Sequence, residues 1–206
     1  MHFSLDTIAS ALADAGLLVE RRGAVPPNAH GITEDSRAAQ PGTLFIAVRG
    51  SERDGHDYLT AAQQAGAIAA IVENPERCPP ELMPSLVVSD GRRAAAIAAA
   101  AAYGFPARHL QLVGVTGTNG KTTTVNMLRH LLDGRDFRSA SIGTLGVLVG
   151  SDGAPIEGGG GLTTPGPVEL QRVFRTLVDA GITRVAMEVS SHSLHQRRVA
   201  ELAAAR

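Results

Sequence analysis

Short apolar runs and stretches with helical spacing alternate along the first half of the chain. The apolar runs predict strands at residues 17–20, 43–48, 68–72 and 86–88, the second of them buried on both faces. Helical spacing predicts helices at residues 4–16, 58–65 and 92–103, the first capped by Ser4. Residues 31–37 are mostly polar, and we expect little burial there. Strands that alternate with helices are typical of an α/β domain with a parallel or mixed sheet.

The second half repeats this alternation. Strands are predicted at residues 110–115, 139–142 and 184–188, the first of them buried, and helices at residues 121–132 and 167–181. The helix at 121–132 is expected to bury Val125, Leu128, Leu132 and either His130 or Leu131. The glycine-rich stretch 151–161 predicts a mobile segment, either a functional loop or a solvated hairpin tip. A Gly/Pro break at residues 104–106 separates predicted domains at residues 1–105 and 106–206.

The composition narrows the function classes. The 206 residues are 44% hydrophobic with a formal net charge of −1, as in an ordinary globular protein. With no basic block and 3% aromatic residues, we expect no nucleic-acid partner. The single Cys78 excludes an internal disulfide. The N-terminus lacks a signal-peptide pattern, and the apolar run at residues 94–102 is far shorter than the ~20 residues of a membrane span. We expect a cytoplasmic monomer without a membrane partner.

A glycine-rich segment, Gly117-Thr-Asn-Gly-Lys-Thr-Thr123, lies between a predicted strand and a predicted helix. Backbone N–H groups at such a turn converge on a phosphate, Lys121 would reach the β- and γ-phosphates of ATP, and the Thr122 hydroxyl would ligate Mg²⁺. The general pattern has a glycine where this chain has Val115. The alternative is an ordinary turn with a solvated lysine. The residues predicted to bind ATP are Gly117, Thr118, Asn119, Gly120, Lys121, Thr122 and Thr123.

A carboxylate, Glu188, ends the predicted strand at residues 184–188. Ligands bind at the carboxyl ends of the strands in open α/β sheets, so Glu188 is the second predicted Mg²⁺ ligand. Lys121 and Glu188 are thus the predicted catalytic residues, with ATP and Mg²⁺ as cofactors. The alternative for Glu188 is a surface charge. A Ser/His hydrolase is rejected for Ser190 and His192, because no G-x-S-x-G motif surrounds the serine.

Four groups of residues resemble the Mur ligases, the ATP-dependent amide-bond-forming enzymes of peptidoglycan synthesis. They are Asp35-Ser-Arg37 with Pro41-Gly-Thr-Leu-Phe-Ile-Ala47; Asp54-Gly-His56; the glycine-rich segment; and Thr163-Thr-Pro165 with Met187-Glu-Val-Ser-Ser-His192 and Gln196-Arg-Arg198. The glycine-rich segment marks only the superfamily. The Asp-Ser-Arg and Glu-Val-Ser-Ser-His segments resemble the MurE type, which adds the third residue of the peptide. The resemblance runs along the whole chain.

The resemblance implies an N-terminal α/β substrate-binding domain followed by an α/β ATP-binding domain. Residues at the positions where the family contacts the UDP part of its substrate are Ser36, Ser51, Glu52 and Arg53. Residues where it holds the rest of UDP-N-acetylmuramoyl-dipeptide are Thr163, Thr164, Ser190, Gln196 and Arg198. In the implied reaction, the D-glutamate carboxylate takes the γ-phosphate of ATP. The amine of a diamino acid, meso-diaminopimelate or L-lysine, then attacks the acyl phosphate.

Two features depart from the family pattern. Leu162 stands where many relatives have asparagine, so one substrate contact would be missing. The chain ends at Arg206, before the lysine that the family carbamylates and before its amino-acid-binding domain. We therefore expect an incomplete P-loop domain with an exposed sheet edge and no complete ligase cycle. Two other functions stay open, a non-catalytic module that binds a UDP-sugar or nucleotide and another ligase such as a folylpolyglutamate synthase.

Overall fold

A computed structural model of the chain describes residues 2–50, 53–134, 137–159, 161–200 and 202. The chain divides into two units, residues 1–102 and residues 103–206. The predicted domain boundary after residue 105 lies close to this division, and the functions assigned to the two domains stay predictions. Within the described ranges, no helix has the length and apolar character needed to cross a membrane.

The first unit is built around a mixed sheet. In chain order it contains β1 (Phe3–Ser4), α1 (Leu5–Asp14), β2 (Leu18–Arg22), β3 (Asn28–Ala29), β4 (Gly31–Thr33), β5 (Thr43–Ala47), α2 (Leu59–Gln64), β6 (Ala67–Val72), β7 (Ser85–Val88) and α3 (Gly91–Ala102). The sheet has the order β2-β7-β6-β5-β4, in which β4 to β7 run parallel and β2 is antiparallel to β7. A separate antiparallel pair joins β1 and β3. Short 3-10 helices occupy Ser36–Ala38, Gly55–Tyr58 and Pro75–Arg77.

The hydrophobic pattern accounts for the interior of this unit. All of β5 is buried, as predicted for a strand covered on both faces. Residues 94–102 of α3 are buried as well, because their small side chains let the helix pack against α1 and the sheet. The expectation of little burial at residues 31–37 is wrong at Ile32, which is buried in β4. That segment becomes a strand by pairing with β5, a long-range contact that its polar composition does not indicate.

The second unit is a five-stranded sheet with helices. In chain order it contains β8 (Gln111–Val115), α4 (Lys121–Leu132), β9 (Arg138–Gly143), β10 (Gly146–Val149), β11 (Ala154–Ile156), α5 (Pro167–Asp179), β12 (Ile182–Glu188) and α6 (Ser191–His195). A 3-10 helix at Pro106–His109 precedes β8. The strand order is β11-β10-β9-β12-β8. β8, β12 and β9 are parallel, so their carboxyl ends meet at one edge of the sheet, whereas β10 is antiparallel to both β9 and β11.

The predicted burial of the strand at residues 110–115 is wrong. Within the described part of the chain, β8 is an edge strand that pairs with β12 alone, and Val113 is 41% exposed. An apolar run of this length fits a covered strand and an edge strand equally well, so the sequence did not distinguish them.

The helix α4 differs from prediction on its buried face. Val125 is buried, whereas Leu128 and Leu132 are half-buried and both alternatives, His130 and Leu131, are exposed. Arg129 is buried in their place. Its guanidinium donates a hydrogen bond to the carbonyl of Gly150, in the turn after β10. Arg129 lies four residues after Val125, on the same helix face, and this tertiary acceptor allows an arginine to be buried at that position.

The stretch at residues 151–161 is partly regular. Its residues 154–156 form β11, which pairs antiparallel with β10, so the prediction of a mobile segment is wrong there and the hairpin interpretation describes it. The turn of this hairpin has Gly150 and Gly153 at positive φ, 70° and 72°. Gly160, which belongs to the same predicted segment, lies outside the described residues.

Candidate nucleotide and metal site

The glycine-rich segment joins β8 to the start of α4. Gly117 and Gly120 have φ values of 148° and 79°, in the region that favours glycine, so the turn depends on both. Gly120 is the N-cap of α4, and no side chain among the described residues caps this helix start. The N–H groups of the first turn therefore point outward without a side-chain acceptor, the usual arrangement at an anion site. The predicted strand, turn and helix are all present in the order required.

Lys121 lies over this turn. Its Nζ donates a hydrogen bond to the carbonyl oxygen of Gly117 at 2.8 Å, so the ammonium group is held above the glycine-rich segment. Lys121 is also the only lysine in the 206-residue sequence. Thr122 is half-buried beside it, and its carbonyl accepts a hydrogen bond from the Asn126 side chain at 2.8 Å. The loop thus brings one ammonium and one hydroxyl group to the same helix start.

Glu188 ends β12, which neighbours β8 in the sheet. Its register partner on β8 is Val115, the last residue of that strand, which Thr116 alone separates from the glycine-rich segment. The carboxylate is only 1% exposed, and within the described ranges it forms no ion pair. An isolated buried carboxylate is costly unless a cation compensates it. The alternative of a surface charge is therefore wrong, and the buried carboxylate has no cationic partner among the described residues.

The donors present fit Mg²⁺. A threonine hydroxyl and a carboxylate are hard oxygen ligands, and Mg²⁺ is commonly held by one or two protein oxygens together with phosphate oxygens and water. The described residues contain no cluster of three or more His, Cys, Asp or Glu that would hold an ion without a nucleotide. Thr122, in the first turn of α4, and Glu188, at the end of β12, are the side chains that would hold the ion.

The five predicted substrate residues of this unit are linked by hydrogen bonds beside Glu188. The Thr164 hydroxyl donates to the carbonyl of Glu188 at 3.0 Å and accepts from the N–H of Ser190 at 3.1 Å. Arg198 donates to the carbonyl of Thr164 at 2.9 Å and to the side-chain oxygen of Gln196 at 2.8 Å. The hydroxyl of Thr163 lies 3.3 Å from that of Thr144. The structure thus brings together residues that are distant in the sequence.

The hydroxyls of Thr164 and Ser190 have structural roles in this network. Thr164 is 1% exposed, and its hydroxyl joins the end of β12 to the start of α6. Ser190 is the N-cap of α6, and its Oγ accepts from the N–H of Ser193 at 3.1 Å. Both hydroxyls shape the backbone around Glu188, a role that the sequence did not indicate. Their predicted substrate contacts stay predictions.

The predicted UDP-binding residues lie in the first unit. Ser36 is half-buried at the start of the 3-10 helix Ser36–Ala38, which Asp35 caps. A side-chain hydrogen bond from Arg37 lowers the pKa of the Asp35 carboxyl and so keeps it ionised. Arg53 is exposed, and its carbonyl accepts from the N–H of Gly50 at 2.8 Å. Ser51 and Glu52 lie outside the described residues.

The Asp54-Gly-His56 segment has a structural role. His56 is 5% exposed, with Nδ1 2.6 Å from an oxygen of Asp54. Its Nε2 accepts hydrogen bonds from the N–H groups of Glu73 and Asn74, each at 3.2 Å. Nδ1 is therefore the protonated nitrogen of a neutral ring. The ring ties this segment to the loop after β6, which explains the motif without a ligand.

Thr144 is not among the predicted site residues, although its N–H donates to Oε1 of Glu188 at 2.9 Å. The sequence contains a signal for it. The segment Gly143-Thr-Leu-Gly146 directly follows a predicted strand, just as Glu188 ends one and the glycine-rich segment comes one residue after another. Three parallel strands that end in polar or glycine residues indicate one shared site at their carboxyl ends.

Comparison with protein families identifies the architecture. The model described as Mur ligase family, catalytic domain, matches residues 28–113, and the model described as Mur ligase middle domain matches residues 115–206. The chain belongs to the Mur ligase family. The first match falls mainly on the first structural unit, and the second begins at the last residue of β8, so it contains the glycine-rich segment and Glu188.

Curated relatives share one name. A UDP-N-acetylmuramoyl-L-alanyl-D-glutamate–2,6-diaminopimelate ligase of Geobacter metallireducens is 44% identical over 180 residues, 87% of this Mur ligase chain and 34% of that protein. Ligases of the same name from Geobacillus thermodenitrificans and Chlorobaculum tepidum are 43% and 44% identical, over 95% of this chain and 38% and 37% of theirs. The chain thus spans about a third of the length of these relatives.

Solved structures agree on the fold. The structure of a UDP-N-acetylmuramoyl-L-alanyl-D-glutamate–2,6-diaminopimelate ligase matches with a TM-score of 0.73 at 26% identity, over 97% of this chain and 38% of that one. A MurF ligase from Thermotoga maritima, solved in complex with ADP, matches with a TM-score of 0.52 at 21% identity, over 84% of this chain and 35% of that one. The second likeness concerns the fold alone.

Proposed function

We propose that this Mur ligase chain binds MgATP at residues 117–123 and also binds UDP-N-acetylmuramoyl-L-alanyl-D-glutamate. The reaction that these ligands serve is the addition of diaminopimelate to the muramoyl dipeptide. The names of its relatives favour diaminopimelate over lysine. The first unit would hold the UDP part of the substrate and the second unit the ATP. Because ATP and UDP-linked precursors are cytoplasmic substrates, we place the protein in the cytoplasm, and we propose that it acts as a monomer.

One observation carries this proposal. Glu188 is a buried carboxylate without an ion-pair partner among the described residues, and its register partner Val115 ends the strand that leads, through Thr116, into the glycine-rich segment. A metal–nucleotide site requires a turn that binds phosphate and a carboxylate that binds the cation, and here the turn and the carboxylate lie at the ends of two adjacent strands. The alternative, an ordinary turn between a strand and a helix, does not account for the buried charge of Glu188 or for the start of α4 without a side-chain cap.

The residues of this site have distinct roles in the proposed reaction. The D-glutamate carboxylate of the substrate attacks the γ-phosphorus of ATP, which gives an acyl phosphate and ADP. The diaminopimelate amine then attacks the acyl carbon, which forms the amide and releases phosphate. Lys121 would stabilise the charge on the transferring phosphoryl group, and magnesium, when bound, would supply further neutralisation there. Gln196 and Arg198 would orient the substrate, Arg198 through its guanidinium.

Calorimetry on the 206-residue chain tests the proposal. With Mg²⁺ present, the chain is titrated separately with ADP and with UDP-N-acetylmuramoyl-L-alanyl-D-glutamate, and UDP-N-acetylglucosamine serves as the control ligand without a peptide. We expect saturable binding of ADP and tighter binding of the muramoyl dipeptide than of the control sugar. Absence of binding for both ADP and the muramoyl dipeptide would contradict the proposal. Equal affinity for the two UDP-sugars would contradict the role of Thr163, Gln196 and Arg198.

A further inference from the structure

The segment after β9 holds the Glu188 carboxylate from two sides. We propose that Gly143 and Thr144 are positioning residues for the metal site, which orient Glu188 toward the ion without touching it themselves. This inference rests on the proposed function. It adds to that function a pair of residues that act through Glu188 and not on the nucleotide or the substrate.

Thr144 supplies the polar half of this arrangement. Its N–H donates to Oε1 of Glu188 at 2.9 Å, a distance typical of a good hydrogen bond. Its hydroxyl lies 3.4 Å from Oε2, a weaker contact. Oε1 is therefore committed to the backbone, whereas Oε2 keeps lone pairs for a cation. A single residue thus fixes the carboxylate plane and determines which oxygen stays available.

Gly143 supplies the space. A Cβ at this position would lie 2.7 Å from both Cδ and Cγ of Glu188, and closer still to Oε1. Gly143 is absent from the glycines with positive φ, so its backbone conformation is open to other residues. Glycine is therefore required here because the Glu188 carboxylate occupies the space that a Cβ would take. The backbone conformation does not require it. An alanine would displace Glu188 and leave the backbone otherwise unstrained.

The Thr144 hydroxyl also connects the carboxylate to the predicted substrate segment. It lies 3.3 Å from the hydroxyl of Thr163 as well as near Oε2 of Glu188. One side chain therefore lies between the metal ligand and the residues proposed to hold the muramoyl peptide. Partners of this kind, one step removed from the ion, typically contribute 10- to 100-fold to metal affinity.

The experiment uses Mn²⁺ as a paramagnetic probe in place of Mg²⁺. Binding of Mn²⁺ to the full chain is measured by electron paramagnetic resonance at a fixed, saturating concentration of ADP. The variants are Gly143→Ala, Thr144→Val and Thr144→Ser, and the control is Gly134→Ala. A Cβ at Gly134 meets nothing within 4 Å, and the backbone there is not at positive φ. Thermal unfolding of each variant is recorded in parallel.

We expect Gly143→Ala to weaken Mn²⁺ binding by about 10-fold or more, and Thr144→Val by a smaller factor of roughly 3 to 10. Thr144→Ser should restore the affinity, because it returns the hydroxyl, and Gly134→Ala should match the wild type. In a Glu188→Ala background the Gly143→Ala change should leave the thermal unfolding temperature unchanged, since the clash with the Glu188 side chain is gone. This dependence on Glu188 separates positioning from a general loss of structure.

The outcomes distinguish this inference from the proposed function. If the wild-type chain binds no Mn²⁺ in the presence of ADP, the metal–nucleotide function is wrong and the inference falls with it. If the wild type binds and both Gly143→Ala and Thr144→Val retain its affinity, the inference alone is overturned. Should Gly143→Ala fail to fold, the contrast between Thr144→Val and Thr144→Ser decides. An equal loss in both would contradict the role of the hydroxyl.

Discussion

The Nζ of Lys121 donates to the carbonyl oxygen of Gly117 at 2.8 Å, so the chain's only lysine folds back over the glycine-rich segment that precedes it. The ammonium group thereby has a backbone partner before any nucleotide arrives. Binding of a phosphate would exchange this neutral acceptor for an anionic one, and hydrogen bonds between charged groups are the stronger. The lysine is thus already close to the position in which a phosphate needs it.

Replacing Lys121 with alanine should weaken MgADP binding. Loss of a hydrogen bond to a charged group costs about 1.5–3 kcal/mol, which corresponds to a loss of roughly 10- to 100-fold in affinity. Calorimetry with MgADP measures the change, and the thermal unfolding temperature should remain close to that of the wild type because Lys121 is not buried. Unchanged nucleotide affinity would mean that the glycine-rich segment is not the ATP site.

Glu188→Gln should separate stability from ligand binding. Glutamine keeps an acceptor for the N–H of Thr144 and removes a buried charge that has no ion-pair partner among the described residues, so the metal-free protein should be stabilised by about 1 kcal/mol or more. The stabilisation by MgADP should disappear. Thermal unfolding with and without MgADP measures both effects.

Glu169→Gln is the matched control for this change. The Glu169 carboxylate accepts two hydrogen bonds from Arg172, both at 2.8 Å, and one from the N–H of Gly159 at 3.0 Å. Because this charge is compensated, its loss should destabilise the chain and leave MgADP binding intact. If Glu188→Gln also destabilised the metal-free chain, the reading of Glu188 as an uncompensated charge would be wrong.

Thr164→Val should destabilise the second unit, whereas Thr163→Val should not. The buried Thr164 hydroxyl satisfies both the carbonyl of Glu188 and the N–H of Ser190, and unsatisfied groups of this kind cost about 1–3 kcal/mol. Thr163 is half-buried, and among the described residues its hydroxyl has one hydrogen-bond partner, the hydroxyl of Thr144. Hydrogen exchange across residues 182–195 detects the difference. Equal protection in the two variants would argue against the structural role of Thr164.

His56→Leu should destabilise the first unit by about 1–3 kcal/mol, because the N–H groups of Glu73 and Asn74 lose their acceptor. His109→Leu is the control, since His109 is exposed and such substitutions usually change stability by less than about 0.5 kcal/mol. Thermal unfolding of the two variants gives the comparison. Similar stabilities would show that the Nε2 contacts of His56 contribute little.

The stability of the second unit should fall at acid pH through Asp133. Its carboxylate accepts from the N–H groups of Ser139 and Ser151, at 3.0 and 2.8 Å, and these bonds lower its pKa below the ordinary 3.8. A lowered pKa means stability that is present above pH ~4 and lost as the pH falls through the folded-state value. Asp133→Asn should flatten this dependence. Urea unfolding between pH 3 and 6 tests it, and an unchanged slope would contradict the assignment.

The hydrophobic pattern and the glycines of the sequence were sufficient to predict where Glu188 and Lys121 lie in the secondary structure. An apolar run that ends in Glu188 places this carboxylate at the end of a strand, and the glycines before Lys121 place the lysine at the start of a helix, without knowledge of the neighbours. Burial of Arg129 was not predictable, because it depends on the carbonyl of Gly150 in a hairpin. The exposure of β8 likewise depends on which strands pair with it, and the role of Thr144 on the strand order that brings it beside Glu188.

The most direct test of the nucleotide site uses the chemistry of Lys121 itself. The chain is treated with an amine-reactive reagent with and without MgADP, and modification of Lys121 is measured by mass spectrometry against the N-terminal amine as internal reference. Because Lys121 is the only lysine, the signal has no competing site. We predict strong protection of Lys121 by MgADP and none of the N-terminus. Equal modification of Lys121 with and without MgADP would contradict the account.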